Sequence, residues 1–192
     1  SQWERFWLVD PLDGTKEFLS RRTEFTVNVA LVRNHEPILG IVTLPAQGVY
    51  FLAAEGLGSW RIDHDLAQTV ANSSDPGEAW TLIERGAVGL PLGATNQGAQ
   101  QSASTIRVVA SRSHLNPGTE EFIKALGHRF RRVELLQAGS AVKLCRVAEG
   151  TAHCYPRLAP TMEWDTAAGD IVVREAGGRV LVADSEGTTD GT

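Results

Sequence analysis

Short apolar runs separated by turn residues fill the first third of the chain. Phe6-Trp7-Leu8-Val9 ends at Asp10-Pro11 and predicts a buried strand. Asp10 to Gly14 carries turn chemistry, and Thr15 is placed to cap a short helix reaching Arg21. Phe25 to Val32 is rich in β-branched residues and partly alternating, which predicts a second strand. Asn34 to Pro37 turns the chain into a third, Ile38 to Leu44; Val49 to Ala54 and Gly58 to Ile62 continue the series. Strands this close in sequence, joined by polar turns, pair as an antiparallel meander.

The texture then changes. Asp63 to Thr105 is poor in hydrophobic residues and rich in small ones, with Asn72 to Gly77 (NSSDPG) and Gln97 to Ser104 (QGAQQSAS) the extremes. It reads as a long surface insert, about residues 63–105, within one partial domain spanning 1–192. Regular patterning returns with a strand over Ile106 to Ala110 and a helix over Thr119 to Leu126, whose Glu120 and Glu121 suit a helix start. A strand over Arg131 to Leu136 follows, then a helix over Ser140 to Glu149 closed by Gly150. His153 to Tyr155 predicts a short strand, Thr166 to Ala176 a helix stopped by Gly177-Gly178, and Arg179 to Ala183 a last strand. Meander strands followed by alternating helices and strands predict the α/β class, in its α+β form.

Composition sharpens the exclusions. With 18 Lys plus Arg against 23 Asp plus Glu, the net charge of −5 argues against a nucleic acid polymer as partner. Cys145 and Cys154 make no disulfide framework and no zinc spacing, which fits a cytoplasmic, reducing location. No apolar run approaches the roughly 18 residues of a membrane span, although peripheral membrane association stays open. The chain opens at Ser1 and enters a strand almost at once, so the expectation is a piece of a longer protein.

The chemistry concentrates in Asp10-Pro11-Leu12-Asp13-Gly14-Thr15. Two carboxylates sit where a buried strand leaves the core, and Pro11 fixes the turn between them. Carboxylate and carbonyl oxygens of this kind suit a hard cation such as Mg²⁺. Gly14 and Thr15 follow with backbone N–H groups at a helix start, where anions are favoured. An Asp-rich turn with a capping Thr has the same composition. A further carboxylate, Asp165, precedes the helix from Thr166, a position Asp also favours simply as an N-cap.

DPLDGT at 10–15, together with Trp164-Asp165 and the following Thr166-Ala167-Ala168-Gly169, resembles the paired signatures of the inositol-monophosphatase superfamily of Mg²⁺-dependent, lithium-sensitive phosphatases. Lys16-Glu17-Phe18, Ser111-Arg112-Ser113-His114, Gly139-Ser140 with Lys143, and Tyr155-Pro156-Arg157 resemble the 3′(2′),5′-bisphosphate nucleotidase branch. The resemblance implies a layered αβαβα sandwich of the sugar-phosphatase type, here lacking its N-terminal helices. It implies that Asp10, the Leu12 carbonyl, Asp13 and Asp165 hold two or more Mg²⁺ ions, with Asp10, Asp13 and Thr15 as the catalytic set. Leu12, Asp13, Gly14, Thr15 and Asp165 would meet the scissile phosphate; Ser111, His114, Gly139, Lys143 and Arg157 would meet the rest of a small phosphorylated nucleotide. The reaction implied is release of the 3′-phosphate of adenosine 3′,5′-bisphosphate to give AMP. An inositol or sugar phosphatase, and a non-catalytic module keeping the fold, are the competing readings. Family members also carry an amino-terminal helical part with a Glu metal ligand, and Glu4 lacks that context. The ends therefore predict truncation and weak activity for the 192-residue piece alone, and homodimerisation is left open.

Overall fold

The computed structural model describes residues 3–91, 104–111 and 116–183. The expected meander is present. Strands β1 (Arg5–Asp13), β2 (Thr26–Arg33), β3 (Glu36–Leu44), β4 (Val49–Ala54) and β5 (Gly58–Asp63) pair antiparallel in chain order, and β6 (Val88–Gly89) completes a six-stranded sheet. A second sheet holds two parallel strands, β7 (Thr105–Ala110) and β8 (Arg132–Gln137).

Helices separate and flank these sheets. α5 (Val142–Ala148) and α6 (Glu163–Glu175) pack together between them; α6 lies across β1 to β5, and α5 reaches β7. α4 (Pro117–Arg129) packs on β8. α2 (His64–Asn72) and α3 (Pro76–Gly86) cover the far face of the first sheet at its β4–β5 end, where Trp60 meets Trp80 edge to face at 5.3 Å. The order from one side to the other is therefore αβαβα.

What lets α6 sit so close is a row of small residues. Ala30, Gly40 and Ala53 are register partners across β2, β3 and β4, and all are buried in the main apolar cluster or beside it. An added Cβ at Gly40 would stand 2.4 Å from Ile171 and 2.5 Å from the Ala168 carbonyl oxygen. The C-terminal end of α6 is tied down as well: Glu175 accepts from the N–H groups of Gly56 and Gly58, and Arg174 donates to the Pro37 carbonyl at 2.8 Å. Fixed at its middle and end, the helix holds its first turn at one edge of the sheet.

Several sequence expectations change here. Residues 64–86, expected within an irregular insert, form the helices α2 and α3. Asp63 and Asp75 cap them, accepting from Leu66 N at 2.9 Å and Gly77 N at 3.0 Å, with Pro76 at the first position of α3. The low hydrophobicity that suggested a loop belongs to helices with one face on a sheet and the other in water. β1 does not stop at Asp10 but runs to Asp13. His153 to Tyr155 contributes only an isolated bridge between Val108 and Cys154. Arg179 to Ala183 carries no strand, since it has no ladder partner among the described residues.

Candidate metal and phosphate site

Asp10 and Asp13 are three residues apart, so a regular strand would point them to opposite faces. The register shows why it does not. Asp10 is opposite Asn28 and Asp13 opposite Thr26, so three steps along β1 match two along β2. This one-residue bulge at Pro11-Leu12 returns both carboxylates to the inner face. Pro11 is tolerated because β1 is an edge strand among the described residues, where a missing N–H costs no ladder bond.

Each carboxylate is anchored through one oxygen. The Leu12 N–H donates to Asp10 Oδ1 at 3.0 Å. The Ala141 N–H and the Thr26 hydroxyl both donate to Asp13 Oδ2, at 2.6 and 3.4 Å. Asp165 lies at the third position of α6 rather than at its N-cap, which is Met162, because the helix starts at Glu163, earlier than its sequence suggested. Its Oδ2 accepts from the Met162 N–H at 3.1 Å and the Thr161 hydroxyl at 2.8 Å, closing the helix start from inside. One oxygen from each of Asp10, Asp13 and Asp165 lies within 4.8 Å of the others.

Three carboxylates so close repel one another. Burial pushes the Asp10 carboxyl above the ordinary carboxylate range, the Leu12 N–H opposes this, and the Asp165 charge adds to it. Asp13 is raised mainly by burial too, against the Ala141 N–H and the Lys143 charge. An all-oxygen, triply anionic cluster is the donor set a hard divalent cation satisfies. These residues fit such an ion.

Beyond the cluster opens a cavity of about 150 Å³, lined by Asp13, Gly14, Glu17, Ser111, Gly139, Lys143, Tyr155, Arg157 and Asp165 among others. A second recess of about 150 Å³ shares Ser111, Tyr155 and Arg157 and adds Asn116 and Thr119. Lys143 is buried; its ammonium donates to the Ser140 carbonyl at 2.6 Å and lies 5.3 Å from the centre of the Tyr155 ring. Burial lowers its pKa to about 8. Gly139 fits because a side chain there would strike the Glu24 carbonyl and the Glu17 side chain at 2.8 Å. Gly14 caps the short helix α1 (Thr15–Leu19) in the left-handed region, at φ 86°.

The structure thus brings together Asp10, Asp13 and Asp165, and lines the adjoining cavity with Gly14, Ser111, Gly139, Lys143 and Arg157. Leu12 sits half-buried on the bulge. Thr15 is the first residue of α1 rather than its cap; it is exposed and does not line the cavity, since Gly14 takes the cap position. His114 lies outside the described residues. Sequence reasoning missed Thr26, Asn28, Thr161 and the Ala141 N–H; the inward polar positions of β2 were the available signal.

The inositol monophosphatase family matches residues 1–191. The chain belongs to that family. It is 40% identical over 178 residues to the 3′(2′),5′-bisphosphate nucleotidase CysQ of Escherichia coli strain K12, covering 93% of this chain and 59% of the relative. The corresponding protein of Buchnera aphidicola is 34% identical over the same share of this chain and 55% of its own length. Among solved structures, CysQ from Bacteroides thetaiotaomicron superposes with a TM-score of 0.78 at 42% identity, over 92% of this chain and 60% of that one. Mycobacterium tuberculosis SuhB gives 0.67 at 25% identity, over 98% and 66%. The chain spans about three fifths of the length of the nucleotidases it matches. Among the described residues no helix is long and apolar enough to cross a membrane.

Proposed function

We propose that this family member is a Mg²⁺-dependent phosphomonoesterase acting on a small bisphosphate nucleotide, releasing the 3′-phosphate of adenosine 3′,5′-bisphosphate. The observation that carries the reading is the convergence of Asp10, Asp13 and Asp165 beside a cavity whose wall carries Lys143 and Arg157. Anionic ligands for a cation thus adjoin cationic groups for a phosphate. The relatives' nucleotidase names supply the nucleotide; the two recesses joined at Ser111, Tyr155 and Arg157 offer it room.

In this reading Asp10, Asp13, Asp165 and the Leu12 carbonyl hold two or more Mg²⁺ ions. When bound, the ions supply charge neutralisation at the phosphate and an acidified water for in-line attack. The protein's part is orientation. Thr26 and the Ala141 N–H fix one oxygen of Asp13, and Thr161 and the Met162 N–H fix one of Asp165, which leaves each a second oxygen for a cation. Gly14, at the cavity wall, presents its N–H to the phosphate. Arg157 takes the second phosphate through its planar fork. A reducing, cytoplasmic setting suits the two free thiols.

The test is a ratio, which does not depend on the absolute rate of this chain. Phosphate release with Mg²⁺ is measured on adenosine 3′,5′-bisphosphate and on inositol 1-phosphate. The nucleotide is expected to turn over faster, and Asp13→Asn to reduce its rate by more than the ~10–100-fold that outer-shell changes cost. Faster inositol turnover overturns the nucleotide assignment, and release that ignores Mg²⁺ overturns the metal reading.

A further inference from the structure

The inward face of β2 reads Thr26, Asn28, Ala30, Val32, all buried. Its two polar members lie under the acidic cluster, opposite Asp13 and Asp10 respectively. Thr26 spends its hydroxyl on Asp13. Asn28 is 1% exposed, yet neither its Nδ2 nor its Oδ1 has a hydrogen-bond partner among the described residues. A buried amide left unpaired is costly, and strand interiors favour Val or Ile at such a place.

The register says which group it serves. Asn28 is flanked on its own face by Asp10 on β1 and Val42 on β3. Directly opposed residues of an antiparallel pair keep their Cβ atoms about 4.5–5.5 Å apart, within reach of an amide and a carboxylate. Asp10 can take a further donor: the Leu12 N–H holds its Oδ1, and outer hydrogen bonds normally orient a carboxylate that ligates a cation. We propose that Asn28 is the positioning residue of Asp10, donating its Nδ2 hydrogen to that carboxylate when the cation is bound. The inference rests on the metal site read above.

Three variants of this chain test it: Asn28→Leu, Asn28→Ala, and Ser59→Ala as control. Ser59 is likewise buried, its hydroxyl without a hydrogen-bond partner among the described residues, but on β5, far across the sheet from the site. Mn²⁺ and Mg²⁺ affinity is measured by calorimetry, and thermal unfolding is followed in EDTA. Asn28→Leu is expected to weaken the cation Kd by about 10–100-fold while the metal-free unfolding midpoint holds or rises. Ser59→Ala is expected to leave Kd unchanged. If Asn28→Leu does not fold, Asn28→Ala carries the same expectation for Kd. A lowered midpoint with unchanged Kd assigns Asn28 to packing and overturns the proposal. A parent chain that binds neither cation overturns the metal site itself and this inference with it. Binding by the parent that no Asn28 variant disturbs overturns this inference alone.

Discussion

Gly40→Ala adds one methyl group at the point where α6 rests on the sheet. The new Cβ would lie 2.5 Å from the Ala168 carbonyl oxygen and 3.1 Å from the Ala168 Cα, where ordinary contact begins near 3.4 Å. The Ile171 methyl at 2.4 Å is movable by rotation, but backbone is not. The helix must therefore lift by about 0.9 Å or the strand must bow. Overpacking of this kind costs about 1–3 kcal/mol, and a backbone obstacle places Gly40→Ala at the upper end. For a chain of this size that is a fall in Tm of about 6–12 °C. The helix also carries Asp165 one turn before Ala168, with its far end tied to Gly56, Gly58 and Pro37. A tilt about those ties moves Asp165 away from Asp10 and Asp13, and a misplacement near 1 Å costs up to about 10²-fold in a catalytic site. Circular dichroism melts and cation calorimetry on the same sample check both parts. An unchanged Tm refutes the close-contact reasoning; a lowered Tm with parental cation affinity refutes the link from Gly40 through α6 to Asp165.

Asp13→Asn is expected to stabilise the metal-free chain and abolish stabilisation by Mg²⁺, which melts with EDTA and with Mg²⁺ will show. The sign follows from burial: Asp13 is raised above its ordinary value of 3.8, so its contribution to stability is present below that pH and lost as pH rises through the folded-state value. The gain from Asp13→Asn should therefore be absent in acid and appear toward neutral pH; a gain that shrinks with rising pH contradicts it. Lys143 behaves oppositely. With its pKa lowered to about 8, its positive charge is present below that pH and lost above it, so inorganic phosphate should bind more weakly as pH rises through 8. Calorimetry of Lys143→Met should show weaker binding without that pH dependence, and a persisting step at 8 assigns it to another group.

The meander was legible because each strand is a short β-branched run closed by a turn, and nearest neighbours in sequence are nearest in the sheet. The inside of β2 was not. Its Val27, Val29 and Leu31 look like the buried set, yet they are half-buried, while Thr26, Asn28, Ala30 and Val32 are fully buried. Alternation shows that a strand has two faces, but which one meets the core depends on partners distant in sequence. Here α6 selects it, since Gly40, in register with Ala30 and Ala53, leaves the room that Ala168 and Ile171 occupy. The helices α2 and α3 are masked for a related reason: their polar composition resembles a loop, and only the Asp63 and Asp75-Pro76 caps announce them.

The site divides along the same line. Asp10 and Asp13 were visible as neighbours, but their common orientation depends on a bulge, a property of how β1 pairs with β2 rather than of either strand. Asp165 was visible only through its resemblance to a known signature, because 152 positions separate it from Asp13 and no local pattern spans that distance. Its capping geometry and its place beside Asp10 go together: Asp165 closes the first turn of α6 through Oδ2, and that turn stands where one of its oxygens lies within 4.8 Å of the other carboxylates. A helix start that served capping alone would not sit within 4.8 Å of two further carboxylates, Asp10 and Asp13, both of which its charge pushes upward. That repulsion is a standing cost in the metal-free chain. A bound cation would reverse its sign, and the cluster's conflict with simple stability is what supports the metal site proposed above.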